Sequence, residues 1–507
     1  MLKQQSFLRR LKTWGRLMGF KVDTSFLRFL TMGALGVHRV SRELRERGFE
    51  PIELERYCGS NKIWATKVKR LRLPDLLCVR TGLRLEVRAK TDLKIRMSDA
   101  PTNPERAWDA GLCDDDIVAF IACVEGPDGP IPADETVFFS VRSLRDSVDQ
   151  SKLGVPKSAS EGAERDRTWP ATVPSRPGRV VAVAQEKLVV MMEGDGNRPR
   201  RQTYTLNGKH VYVSPGDQFQ AGVTILAGVP ESLADLDAYR GCAYHPMDEI
   251  LSGNAVDRYA AVKALRFRPD LHEESIGVLE ELLESEPEER VALEAAGTAA
   301  ALGSAAGRDR IAYALWGVGP ADLSMEAILI LTELNIGYSR VALLEVAHGD
   351  RFRRDERRQA AVWGLGKAGL RAYGDLVDFI GDEEENVAYH AIAGFGPDTP
   401  RAVIEELVAV LLTGDPRRAP AASEALRIIG SEEALESLVE TTVTSSGATD
   451  WVLATIGRMR PDMVQARLNG TALLDQLAPM LLIADGANWL STEDVTTDIA
   501  FLLKQNL

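Results

Sequence analysis

The second half of this chain repeats itself. Stretches rich in small residues end on glycine at Gly366, Gly396, Gly430 and Gly457, which lie 30, 34 and 27 residues apart. The first of them, residues 358–366, reads RQAAVWGLG; residues 388–396, 421–430 and 452–457 follow the same plan, and 260–265 and 295–303 are looser versions. A period near 30 restricts the architecture severely. One such unit cannot bury its own apolar face, so neighbours must stack into a continuous helical array. Small residues let helices approach closely, and a terminal glycine is expected to supply a left-handed helix cap. The expectation is an all-α solenoid from about residue 235 to residue 507.

The repeated pattern R-x-x-A-x-x-[AG]-L-G resembles HEAT-type repeats. That resemblance implies a scaffold that holds a protein partner; some such arrays cradle DNA on a basic concave face. The acidic stretches 280–289 and 382–385 oppose a wholly basic face. The run Arg351-Phe352-Arg353-Arg354-Asp355-Glu356-Arg357-Arg358 is the exception. Its plainer reading is charge on a solvated turn, and its functional one a local phosphate contact.

The first hundred residues differ in charge and in pattern. They hold 23 Lys and Arg against 10 Asp and Glu, about +13 in a chain of net charge −13, which leaves about −26 for the rest. A basic head on an acidic protein fits a nucleic-acid footprint confined to that head, with charge pairing between domains as the bland alternative. Within the head, Lys67, Lys69, Arg70 and Arg72 lead into Pro74-Asp75. Alternation along a strand would put Lys67 and Lys69 on one face with Leu71, so this run is not one uniform basic stripe. Two short apolar runs, 76–79 and 83–87, then flank the turn signal Arg80-Thr81-Gly82, which predicts a hairpin. Asp75 opens its first strand. Glu86, Arg88 and Lys90 share one face of the second. Two carboxylates beside a row of cations suit metal-dependent phosphodiester cleavage. An ordinary hairpin with a solvated charged face accounts for Arg84, Arg88 and Lys90, but less well for an acidic residue on each strand.

Residues 30–150 resemble the PD-(D/E)xK nuclease superfamily. Residues 37–47 (VHRVSRELRER), stopped by Gly48, look like the helix that precedes its core. Strands are expected at 51–55, around Asp75 and Glu86, at 117–124 (IVAFIACV) and at 137–141 (VFFSV), with a helical segment opening at Arg106-Ala107-Trp108-Asp109. The resemblance implies that Asp75 and Glu86 hold Mg²⁺ or Mn²⁺, with Glu43 as the extra acidic residue that some members carry. Water on the metal would attack phosphate, with Arg88 or Lys90 stabilising the developing charge. The family expects Lys two residues after the acidic residue, and here that position is Arg88. Arginine is a poor general base. Either Lys90 takes the role, or Arg88 acts electrostatically, or the site is inactive.

Between the two halves, residues 145–177 lose all periodicity and read as a linker. Residues 178–230 read as short strands closed by VSPGDQFQAGVTILAGV. That segment resembles barrel-sandwich hybrid domains, the lipoyl- and biotinyl-like fold also inserted in multisubunit RNA polymerase. The tip at residues 193–197 carries no Lys, which disfavours a swinging-arm cofactor. A β module for protein or nucleic-acid contact remains, with Arg198, Arg200 and Arg201 as residues that could touch phosphate or simply sit in a solvated loop.

The expected architecture is therefore multidomain: an α/β PD-(D/E)xK nuclease-like head over 1–144, the linker, a small all-β barrel-sandwich-hybrid-like module, and an all-α HEAT-like solenoid over 235–507. No apolar run reaches the roughly 18 residues of a membrane span. Residues 1–30 are basic and amphipathic without a continuous apolar core, so a signal peptide is not expected; a helix on the head is. Five cysteines, Cys58, Cys78, Cys113, Cys123 and Cys242, form no CxxC and imply reduced thiols in a cytoplasm. Three functions follow as expectations. The first is a metal-dependent DNA endonuclease or nickase, by analogy of architecture in bacterial genome defence. The second is an inactive nucleic-acid-binding adaptor whose solenoid recruits a protein partner. The third is a pure scaffold. Members of the nuclease superfamily that cut both strands often dimerise, and no segment here marks an interface.

Overall fold

The computed structural model describes residues 24–54, 64, 71–126, 129–157, 164–194, 198–334, 336–367, 370–444 and 449–473. They fall into two compact units. One holds the described residues of Phe29–Tyr57 and Lys69–Ala295, the other those of Met1–Arg28, Cys58–Val68 and Ala296–Asn506. Together they give mixed sheets in the N-terminal half and stacked helices in the C-terminal half.

The first unit is built on a five-stranded sheet. Its strands are β1 (Pro51–Glu53), β2 (Leu76–Cys78), β3 (Arg84–Lys90), β5 (Ile117–Gly126) and β6 (Gly129–Ser140), in the order β1-β2-β3-β5-β6. Only β3 and β5 run parallel; the other neighbours are antiparallel. Both faces of β5 are covered, which is why its sequence is an unbroken apolar run. Ile117, Ala119 and Ile121 join Val37, Val40 and Leu44 of the long helix α1 (Thr24–Glu46). Val118, Phe120 and Ala122 join a second core with Trp108, Phe139, Trp169 and Ile225. Helix α1 lies close to the sheet at Gly36, where a Cβ would stand 2.8 Å from the Ala89 Cβ.

A parallel pair needs a long crossover. The helix expected to open at Arg106 is absent from it. A single 3₁₀ turn, Pro104–Arg106, stands there, capped by the Asn103 side chain on the Glu105 N–H. Pro101, Pro104 and Gly111 break the stretch before a longer helix can nucleate.

The segment read as a linker, 145–177, is also structured over its described residues. It contains β7 (Lys152–Leu153), β8 (Arg165–Thr168) and β9 (Ala171–Thr172). Strand β8 pairs with β4 (Arg96–Asp99) and β7 in a small sheet ordered β4-β8-β7. These strands carry ion pairs in place of apolar alternation: Arg167 reaches Asp99 at 2.6 Å and Lys157 reaches Asp166 at 2.9 Å. The buried Trp169 stacks edge-on against Trp108 and donates its indole N–H to the Leu144 carbonyl.

Residues 178–230 form two sheets. One is ordered β12-β11-β10-β14, from Arg200–Thr205, Lys187–Met192, Gly178–Ala184 and Gln218–Phe219. The other is ordered β13-β15-β9, from His210–Val211, Ala227–Gly228 and the linker strand. Val180, Leu188, Val190, Met192, Phe219 and Leu226 fill the space enclosed.

In the second unit, alternate helices stack in two rows. Ala321–Leu334, Glu356–Leu365, Glu385–Ala393, Arg418–Ile429 and Thr449–Gly457 pack one on the next. Tyr373–Phe379, Arg401–Leu412 and Glu432–Thr444 form the other row. The expected left-handed cap holds at Gly430, with φ +53°. It does not hold at Gly366, whose φ is −82°. That glycine serves close approach: a Cβ there would lie 2.7 Å from the Gly394 Cα.

Ion pairs recur with the repeat. Arg358 reaches Asp382, Arg340 reaches Asp375 and Arg467 reaches Glu436, partners 24, 35 and 31 residues along the chain. The cluster 351–358 is largely consumed this way. Arg351 donates to the Trp316 and Gly317 carbonyls, Arg357 pairs with Asp355, and Arg358 holds both Asp382 and Glu384. No described helix is long and apolar enough to cross a membrane.

Candidate active site

The predicted hairpin forms as β2 and β3, with Leu76 opposite Leu85 and Leu77 opposite Arg84. Gly82, at φ +72°, closes the turn by donating its N–H to the Cys78 carbonyl. Extending that register by one residue sets Asp75 beside Glu86. There the ladder stops, and the Asp75 carboxylate replaces it, accepting the Val87 N–H at 2.7 Å. Asp75 is buried, so this bond fixes its orientation as well as satisfying the backbone.

Alternation along β3 separates its side chains. Leu85 and Val87 enter the core beneath α1, and Ala89 packs against that core. Glu86, Arg88 and Lys90 project from the opposite face, half-buried. Arg88 forms an ion pair with Glu86 at 2.7 Å. Burial, with the Arg88 and Arg96 cations nearby, pushes the Lys90 ammonium down to about 8 against the pull of Asp166. The small sheet supplies those neighbours. Asp166 pairs with Lys157 at 2.9 Å and with Arg96 at 3.5 Å, and Lys157 donates to the Ser98 hydroxyl. Burial raises the Asp166 carboxyl, but Lys157 and Arg96 outweigh it and hold the group low.

Asp75, Glu86, Arg88 and Lys90 are thus brought together on one face of the hairpin. Arg96, Lys157 and Asp166 were not anticipated. Two of them sit in the presumed linker, and the polar run Arg165-Asp166-Arg167-Thr168 gives no apolar alternation to reveal a strand. Arg72 is exposed. Lys67, Lys69 and Arg70 lie outside the described residues. Glu43 does not join the site. It is held on α1 by Arg39, Arg47 and the Thr136 hydroxyl, on the sheet face opposite Glu86. Arg84 is structural: its buried guanidinium clasps Asp116 at 2.7 and 3.1 Å and Asp257 at 2.6 Å.

Among the described residues no three His, Cys, Asp or Glu side chains form a metal-ready cluster. A pair of carboxylates is still an adequate protein share for Mg²⁺, which keeps several waters and is commonly held by one or two carboxylates plus substrate phosphate. Asp75 and Glu86 fit that demand. Cys78 and Cys123 do not contribute: both are buried, and burial pushes both thiols up to about 12.

No family model matches this chain, and no curated protein matches it. Among solved structures, it is similar to an engineered protein from a structural genomics consortium, at 16% identity and TM-score 0.23, over 51% of this chain and 76% of that one. It is also similar to human deoxyhypusine hydroxylase in complex with glycerol, at 17% identity and TM-score 0.21, over 46% of this chain and 96% of that one. At those scores neither likeness assigns a fold or a function.

Proposed function

We propose that this protein is a metal-dependent DNA endonuclease or nickase whose helical array engages a protein partner, with defence against foreign DNA as the setting. One observation carries the reading: Asp75 and Glu86 share a face of adjacent strands, with Arg88 and Lys90 following in the same row. Mg²⁺ or Mn²⁺ held between the carboxylates would polarise a phosphoryl oxygen and acidify a bound water. Asp75 is oriented for this by the Val87 N–H. Arg88 steadies Glu86 and would add positive charge beside a bound phosphate. Lys90, held near 8, can give or take a proton at neutral pH, which an arginine cannot.

The Arg88–Glu86 pair also favours a second reading. A guanidinium already on a ligand carboxylate neutralises half of the donor pair, as in an adaptor that binds DNA without cutting it.

Supercoiled plasmid and linear duplex incubated with Mg²⁺, Mn²⁺ or chelator separate the two. The variants are Asp75→Asn, which keeps an acceptor for the Val87 N–H, and Glu86→Gln. Metal-dependent nicking or linearisation lost in both supports the enzyme. Intact DNA in every lane, with a gel shift that survives chelator, sinks it and establishes the adaptor.

A further inference from the structure

The β module carries a second basic surface, away from the hairpin. In the sheet β12-β11-β10-β14 one face is sealed by Val180, Leu188, Val190, Met192 and Phe219. The other is open. Cross-strand register places Gln218, Arg179, Met191 and Arg201 in one row across all four strands. A second row holds Ala182, Val189 and Thr203, and a third Ala184, Lys187 and Thr205. Side chains directly opposite one another project to the same face, so Arg179, Arg201 and Lys187 stand on the solvent side. All three are exposed.

Two features distinguish this face. Elsewhere among the described residues arginines are mostly claimed by carboxylates, as with Arg258–Glu286, Arg266–Glu294, Arg358–Asp382 and Arg467–Glu436. Among the described residues Arg179, Lys187, Arg198, Arg200 and Arg201 make no ion pair, within 23 positions of a chain whose net charge is −13. Acidic residues flank the rows without entering them: Glu186 and Glu193 lie beyond the two ends of β11, and Asp217 accepts the Ser214 N–H. Among the described residues the face also carries no aromatic ring. Tyr204 belongs to the sealed side, its hydroxyl on the Met192 sulfur. Unpaired cations on a ring-free surface suit a phosphate backbone; single-strand binders add stacking platforms.

We propose that this open sheet face binds the phosphate backbone of duplex DNA, independently of sequence, through Arg179, Arg201 and Lys187. Strand spacing sets Arg179 and Arg201 about 10 Å apart and Lys187 about 13 Å along the strands. Arg198 lies just ahead of β12 at the same edge, while Arg200, opposite Met192, belongs to the other face. The choice of DNA rests on the function proposed above; the surface does not depend on the cleavage chemistry.

The test is fluorescence anisotropy with a labelled duplex of mixed sequence, full-length protein, chelator throughout, and a salt titration. Each lost phosphate contact lowers the slope of log K against log salt by about 1, so R179A/R201A should be shallower by about 2 and K187A by about 1 more. R308A/R417A, a half-buried and an exposed arginine on the helical unit, should leave the slope alone. An unchanged slope in R179A/R201A overturns the proposal, as does an equal fall in R308A/R417A or a wild type that does not bind the duplex. A slope change in a protein that never cuts DNA upholds this surface and rejects the endonuclease alone.

Discussion

The Arg88 guanidinium stands 2.7 Å from the Glu86 carboxylate, two residues apart on one face of β3. The site is therefore partly occupied by its own strand. A divalent ion held as proposed would have to compete with a tethered cation for Glu86. Arg88→Gln should release Glu86 and move the Mg²⁺ dependence of nicking to lower concentration. Lys90→Ala should lower turnover at every Mg²⁺ concentration, by roughly 10²–10⁴-fold for loss of a proton-transfer group. Initial nicking rates across a Mg²⁺ titration check both, and parallel curves for the two variants would assign one role to both cations.

Lys90 also makes a prediction that needs no DNA. Burial and the neighbouring arginines set it near 8 in the fold, against an ordinary 10.5 when unfolded. Between those values the unfolded chain binds the extra proton, so stability rises with pH across that window. Below about 8 the amine is charged in both states and the burial penalty is fully expressed. Lys90→Met should therefore be more stable than wild type at pH 7, with the difference gone by about pH 10.5. Urea midpoints at pH 7, 9 and 10.5 measure this, and a gap that ignores pH would mean an amine titrating normally.

Arg84 should be the most costly cation to remove from the sheet. Its guanidinium bridges Asp116, just ahead of β5, and Asp257 on the helix Ala255–Leu265. Burial raises Asp116, and Arg84 is what holds its charge in place. Arg84→Ala leaves buried carboxylate without its partner, a loss of about 3–5 kcal/mol. Chemical denaturation followed by far-ultraviolet circular dichroism reads the loss. Arg84→Ala with Asp116→Asn should recover part of it, because the stranded charge is gone.

The sequence was most legible where apolar periodicity governs. Residues 117–124 read as a buried strand because both faces of β5 are covered; the hairpin and the C-terminal part of α1, read as 37–47, followed from patterning and from Gly82 and Gly48, while the helix itself starts earlier, at Thr24. It was least legible where ion pairs replace apolar contacts. Strands β4 and β8 are joined through Arg167–Asp99 and Arg96–Asp166, and such pairs leave no period in the chain. The same blindness hid Arg96 and Asp166 beside Lys90. Glycines misled in a different way. A terminal Gly can mean a left-handed cap, as at Gly430, or room for a neighbouring helix, as at Gly366, and only the packing tells which.

His390 gives the helical unit its own pH signature. It is buried on the helix Glu385–Ala393, its ring 5.3 Å from Trp64, and Trp64 in turn lies edge-on to Trp363 at 5.9 Å. Burial pushes the imidazole down to about 3, so it stays neutral in the fold far below its ordinary 6.5. From pH 6.5 downward the unfolded chain gains a proton that the folded chain refuses, and stability falls. At pH 5 the loss from this one group is about 2 kcal/mol, since each pKa unit is worth about 1.4 kcal/mol. His390→Phe keeps the ring contacts and removes the titration. Its urea midpoint, read by tryptophan fluorescence, should change less between pH 7 and pH 5 than that of the wild type. Identical pH dependence in the two proteins would show that the acid limb belongs to other groups.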